Sequence, residues 1–90
     1  MECLIVQKKA GRTRMKGFDS WESGIAELRS IGESYTVEHE EAHKKFLSEL
    51  ETYTQKVICI QGVYGESAVL YKMEESWVEQ VELVNREFTW

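Results

Sequence analysis

The segment Met15-Lys16-Gly17-Phe18-Asp19-Ser20-Trp21 returns in character as Tyr71-Lys72-Met73-Glu74-Glu75-Ser76-Trp77, 56 positions later. Upstream of each copy stands a β-rich run, Leu4-Ile5-Val6-Gln7 and Ile58-Cys59-Ile60-Gln61, these two being 54 positions apart. The two-residue difference falls inside the hairpin, where an insertion costs least. Each half therefore reads strand, turn, strand, acidic cap, Ser-Trp, helix, and self-similarity of this kind points to a repeated unit. A lone hairpin is marginal in water, and a helix laid across one face gives it something to bury against. The expected fold is α+β: a four-stranded antiparallel sheet from two ββα-like halves, 3–32 and 57–89, joined by a central helix over 36–54 (ββα-α-ββα). Trp21 and Trp77 are its matching anchors.

Local signals fill in this outline. Residues 3–8 and 12–18 read as strands around the turn Lys9-Ala10-Gly11-Arg12. Asp19 stands as N-cap with Glu22 at the capping-box position. Trp21, Ile25, Leu28 and Ile31 form an apolar helical stripe, and Gly32 reads as its left-handed stop. Thr36 opens the second helix, whose early acids Glu38, Glu40 and Glu41 suit the N-terminal end of the macrodipole. Its inner face is His39, His43, Phe46, Leu50 and Tyr53, with Leu47 widening the stripe. Strands follow over 56–61 and 68–73 around a loop at 62–67. Ser76 then caps a last helix bearing Trp77, Val81, Val84 and Phe88; its β-branched content keeps a strand as the alternative.

Ninety residues without proline or a Ser/Gly-rich linker make a single domain over 1–90. Apolar runs such as Leu4-Ile5-Val6 are far short of the ~20 residues that span a bilayer, so no membrane partner is expected. No basic leader is legible, and the chain reads as cytoplasmic. Cys3 and Cys59 sit in apolar runs and read as reduced core residues. Net charge is −5, unevenly spread. Residues 1–16 carry five basic side chains (Lys8, Lys9, Arg12, Arg14, Lys16) against Glu2 alone; residues 17–90 carry six basic and fifteen acidic. Overall acidity argues against general nucleic-acid binding, yet leaves room for a basic hairpin that meets phosphate locally.

One motif carries catalytic chemistry on paper. His39-Glu40-Glu41-Ala42-His43 is H-E-x-x-H, and histidines at i and i+4 on a helix can ligate zinc while the glutamate serves as general base. The motif resembles the zinc-peptidase pattern over these five residues only. One x position is the charged Glu41, and no third histidine exists to complete the ligand set. The two rings are read as interior filling; no cofactor and no enzymatic activity are expected, a small zinc-dependent hydrolase at His39 and His43 being the weakest reading. No P-loop and no G-x-S-x-G context occurs.

The leading expectation is therefore a small acidic protein-binding module, a stoichiometric regulator or inhibitor of a larger protein. Tyr35, Tyr64 and Trp90 fall in loops or at the terminus, and such residues dominate interface hot spots. With Glu38, Glu40 and Glu41 they form the candidate partner-binding set, and the clustered carboxylates can imitate a nucleic-acid charge track. Nucleic-acid contact through the basic hairpin is the alternative. Free sheet edges also point to a homodimer.

Overall fold

Ala10 and Gly11 both lie at positive φ, 52° and 75°, the backbone a two-residue type I′ turn demands. The turn pairs Lys9 with Arg12 and zips strand β1 (Cys3–Lys9) against β2 (Arg12–Phe18) down to Cys3 opposite Phe18. Alanine is a poor occupant of the left-handed region. Ala10→Asn is expected to raise stability by about 0.5–1 kcal/mol, read as a higher urea midpoint at unchanged slope.

The computed structural model describes residues 1–73. The expectations for Ser76, Trp77, Trp90 and a helix or strand over 76–88 lie outside the described residues. After β2 come α1 (Trp21–Glu33), α2 (Glu40–Ser48), a short 3-10 turn (Leu50–Thr52), β3 (Val57–Gln61) and β4 (Ser67–Lys72). The protein is α+β, with one four-stranded antiparallel sheet ordered β2-β1-β4-β3 and two α-helices among the described residues. No helix among them is long and apolar enough to cross a membrane.

The register settles how the two hairpins meet. Ile5 pairs with Leu70 across β1 and β4, and Met73 donates its N–H to the Glu2 carbonyl at 2.9 Å. In a symmetric repeat, equivalent strands would pair, β1 with β3 or β2 with β4. Instead β1 is central while its counterpart β3 is an edge, so the described halves are not related by a two-fold axis. Strand content was repeated in the sequence; strand position was not.

Residues paired across an antiparallel sheet share a face, and one face is the core. Cys3, Ile5, Ile58, Ile60, Ala68 and Leu70 meet Ile25, Leu28 and Ile31 of α1, with Leu47, Leu50 and Tyr35 closing the cluster. Leu28, Leu50 and Leu70 are fully buried, each stabilising the fold by about 1.5–3 kcal/mol. On the other face Leu4, Val6, Met15, Val69 and Tyr71 are buried or half-buried.

Several local expectations shift. Ser20, not Asp19, caps α1: its backbone is extended and its Oγ accepts from the Ser23 N–H at 3.1 Å. Asp19 is fully exposed, 3.9 Å from the N-terminal ammonium. Gly32 does not stop the helix; it lies inside α1, which runs to Glu33 with Ser34 as C-cap. The central helix is shorter than 36–54, because Thr36 serves another purpose: its carbonyl accepts the Val63 N–H at 2.9 Å, holding 36–39 out of helix. Cys59 is exposed rather than core, since it alternates with Ile58 and Ile60 on an edge strand.

Cys3 is the buried thiol, donating to the Ser20 carbonyl at 3.4 Å. Burial, with the Glu2 carboxylate adding to it, pushes this thiol from 9.0 up to about 11. A raised pKa means the folded state favours the neutral thiol. Its contribution to stability is complete below about pH 9 and disappears as pH rises through about 11. Urea titrations across that window are expected to show falling stability, with a flatter profile for Cys3→Ala. In the native protein a maleimide is expected to modify Cys59 alone.

Candidate functional site

Two reciprocal bonds lock the helices together. A helix leaves its last carbonyls without intrahelical partners. His43 of α2 reaches the Gly32 carbonyl near the end of α1, Nε2 to O being 2.7 Å. A carbonyl only accepts, so Nε2 carries the proton. In return Arg29 of α1 donates from Nε to the Leu47 carbonyl at the end of α2, and its other arm pairs with Glu51, both at 2.9 Å. A guanidinium at a helix C-terminus also suits the macrodipole. Gly32 permits the close approach: a Cβ there would come within 2.7 Å of Leu47 Cδ2 and 3.1 Å of Ile60 Cδ1.

With α2 stacked on α1 and the 3-10 turn, a gap is left between α2 and the edge strand β3. It is a groove of about 550 Å³, lined by apolar Val37, Ala42, Phe46, Ile60 and Val63 and by polar Glu38, His39 and His43. Glu40 and Glu41 stand exposed in the first turn of α2 beside it. Phe46 is held by Tyr53, their ring centroids 5.3 Å apart.

The loop that ends the groove is ordered by its own hydrogen bonds. Gly62 donates to the Glu66 carbonyl at 2.9 Å, and the Glu66 carboxylate accepts the Tyr64 N–H at 2.9 Å. Gly65 takes the positive φ, 83°, that the turn requires. Fixed this way, the loop presents Val63 and Tyr64 to solvent, 46% and 80% exposed. Apolar side chains at a turn, where polar ones are the rule, are the sequence signal of this site.

The third wall is backbone. Antiparallel pairs alternate between those that exchange hydrogen bonds and those that do not. Gly62 bonds to Glu66, and Lys72 donates to the Lys56 carbonyl at 2.8 Å, so the even-numbered residues of β3 face β4. The N–H and C=O groups of Val57, Cys59 and Gln61 therefore point outward along the groove. Among the described residues nothing pairs with them, while the next odd residue, Val63, is already bonded to Thr36. The other edge, β2, carries Arg12, Arg14 and Lys16, all exposed; charges of this kind discourage strand pairing. Val57 and Cys59 do not.

Of the expected partner-binding residues, Glu38, Glu40, Glu41 and Tyr64 gather around this groove. Tyr35 does not. It is 8% exposed, part of the core, and burial raises its hydroxyl pKa. A tyrosine just past a helix end reads as a loop residue in sequence, but here its N–H bonds to the Gly32 carbonyl at 3.2 Å and its side chain joins the buried cluster. Of the expected inner face of the second helix, Leu47 and Leu50 are buried and Phe46 and Tyr53 pack against the core, while His39 is the exposed N-cap residue. As N-cap, His39 accepts the His43 N–H on its carbonyl at 2.9 Å, and both residues border the groove. Among the described residues no three His, Cys, Asp or Glu side chains come together as a metal-binding group. The groove-lining Val37, Ala42 and Val63, and the edge amides, were not singled out from sequence. Comparison of the chain with protein-family models, with curated proteins and with solved structures gave no match.

Proposed function

We propose that this protein is a small binding module that acts stoichiometrically on a larger protein by taking up an extended segment of it along the outer edge of β3. The observation that carries this reading is the coincidence of unpaired, outward-facing edge amides with an apolar groove. In strand addition, main-chain hydrogen bonds supply affinity and alternate side chains enter pockets for specificity. Here the amides are those of Val57, Cys59 and Gln61, and the pocket lies between Phe46, Ala42 and Ile60. Glu38, Glu40 and Glu41 at one end favour a segment that pairs an apolar side chain with lysine or arginine. Tyr64 and Val63 supply exposed contact area on a fixed turn.

Cys59→Pro is the decisive control, because it removes one outward N–H and no bond of the β3–β4 ladder. Random peptides displayed on phage are selected against the wild-type protein, with the variant in parallel. Enrichment of basic-apolar sequences by the wild type alone supports the reading; identical enrichment by both proteins, or none by either, ends it. A second copy pairing edge to edge is the competing occupant. Sedimentation showing a wild-type dimer that Cys59→Pro dissociates, with no peptide enriched, would assign the edge to self-association instead.

A further inference from the structure

The opposite edge of the sheet bears a different surface. α1 starts beside Cys3, where Gly24 lies against Cys3 and Leu70, and ends beside Ile60 and Leu47. It therefore crosses the sheet diagonally and leaves the tip of the β1–β2 hairpin bare on the helix side. That corner is a cleft of about 530 Å³ lined by Gln7, Lys9, Ala10, Arg12 and Arg14.

Alternation places the cations. Arg12, Arg14 and Lys16 occupy every second position of β2, and Lys9 is paired with Arg12, so all four share the helix-side face. Lys8 alone of the five basic hairpin residues takes the other face. The four are exposed, and none is in an ion pair among the described residues. Lys16 rests its ammonium 5.3 Å from the centre of the Phe18 ring, which fixes the last charge in line. Cations two residues apart on a strand are ~6.8 Å apart, about two rises of a stacked nucleic-acid strand at ~3.4 Å per nucleotide.

We propose that Lys9, Arg12, Arg14 and Lys16 form a track for the phosphate backbone of a single nucleic-acid strand, on the sheet edge opposite the β3 groove. Guanidinium groups grip phosphate bidentately. A membrane surface fits less well, because among the described residues the exposed large apolar side chains, Val57, Val63 and Tyr64, belong to the other edge or its loop. The acidity of the remaining chain confines the strand to this ribbon. The site stands apart from the peptide groove, and either can fail without the other.

Fluorescence anisotropy with a short labelled oligothymidylate and oligouridylate tests it. Four neutralised phosphates on a single strand give a log–log salt slope of about −2.8, so affinity is expected to fall roughly 50-fold between about 50 and 200 mM salt. Arg12→Glu with Arg14→Glu is expected to weaken binding more than tenfold, while Arg12→Lys with Arg14→Lys keeps the salt slope. Circular dichroism of the reversed variant and an unchanged urea midpoint show that the fold is intact. Lack of binding at low salt overturns the proposal, as does binding that survives charge reversal. Equal affinity for polyglutamate or for anionic phospholipid vesicles also overturns it.

Discussion

Gly24→Leu is expected to cost about 3 kcal/mol or more, a large part of the 5–15 kcal/mol that holds a domain of this size together. Propensity alone predicts the reverse, since glycine inside a helix is worse than other residues by up to ~1 kcal/mol. Packing decides the sign. A Cβ at Gly24 would collide with the Cys3 sulfur and come within 3.0 Å of Leu70 Cδ1. Cys3 and Leu70 are both fully buried in the two central strands, so neither can step aside without moving the sheet from the helix. Gly24→Ala is expected to destabilise by about 1–2 kcal/mol for the same reason. Pairing it with Cys3→Ala removes the colliding atom, and the double variant is expected to be more stable than the sum of the single changes by at least ~1 kcal/mol. Urea denaturation of the four proteins measures this coupling; additive effects would mean that α1 does not rest on Cys3.

Proline substitutions along β3 give the second large effect, and it alternates. Ile60→Pro removes an N–H that faces β4 and a side chain that is 3% exposed. The expected loss is about 4 kcal/mol or more, enough to leave much of the protein unfolded. One residue earlier, Cys59→Pro removes an N–H that faces outward, where edge strands tolerate proline; the expected change is within about 1 kcal/mol. Binding of a selected peptide should respond in the opposite sense, lost in Cys59→Pro although the fold survives. Thermal melts and peptide titrations of the two variants separate the ladder from the docking edge.

The parts of the fold that could be read in the sequence are those set by neighbours in the chain. The β-rich apolar runs Cys3-Leu4-Ile5-Val6 and Val57-Ile58-Cys59-Ile60 marked the strands, Lys9-Ala10-Gly11-Arg12 marked the turn, and the spacing of Ile25, Leu28 and Ile31 marked the buried side of α1. What was not legible depends on distant partners. Val63 engages Thr36 from 27 positions away and so delays the second helix to Glu40. Strand order is of the same kind: nothing local distinguishes a central β1 from an edge β3, although that difference exposes Cys59 and breaks the apparent symmetry of the halves. The groove followed the same rule. Its acids and Tyr64 were visible as residue types, but its apolar lining comes from 37–46 and 60–63, tied by the Val63–Thr36 bond, with Arg29 and His43 holding α2 on α1.

The most direct measurement is amide hydrogen exchange at single-residue resolution along β3, with and without a selected peptide. In the free protein Ile58 and Ile60 are expected to be protected by β4, and Val57, Cys59 and Gln61 to exchange quickly. On binding, protection should appear at Val57, Cys59 and Gln61 and leave Ile58 and Ile60 unchanged. A bound peptide that slows no odd-numbered amide, or slows all five alike, would contradict strand addition at this edge.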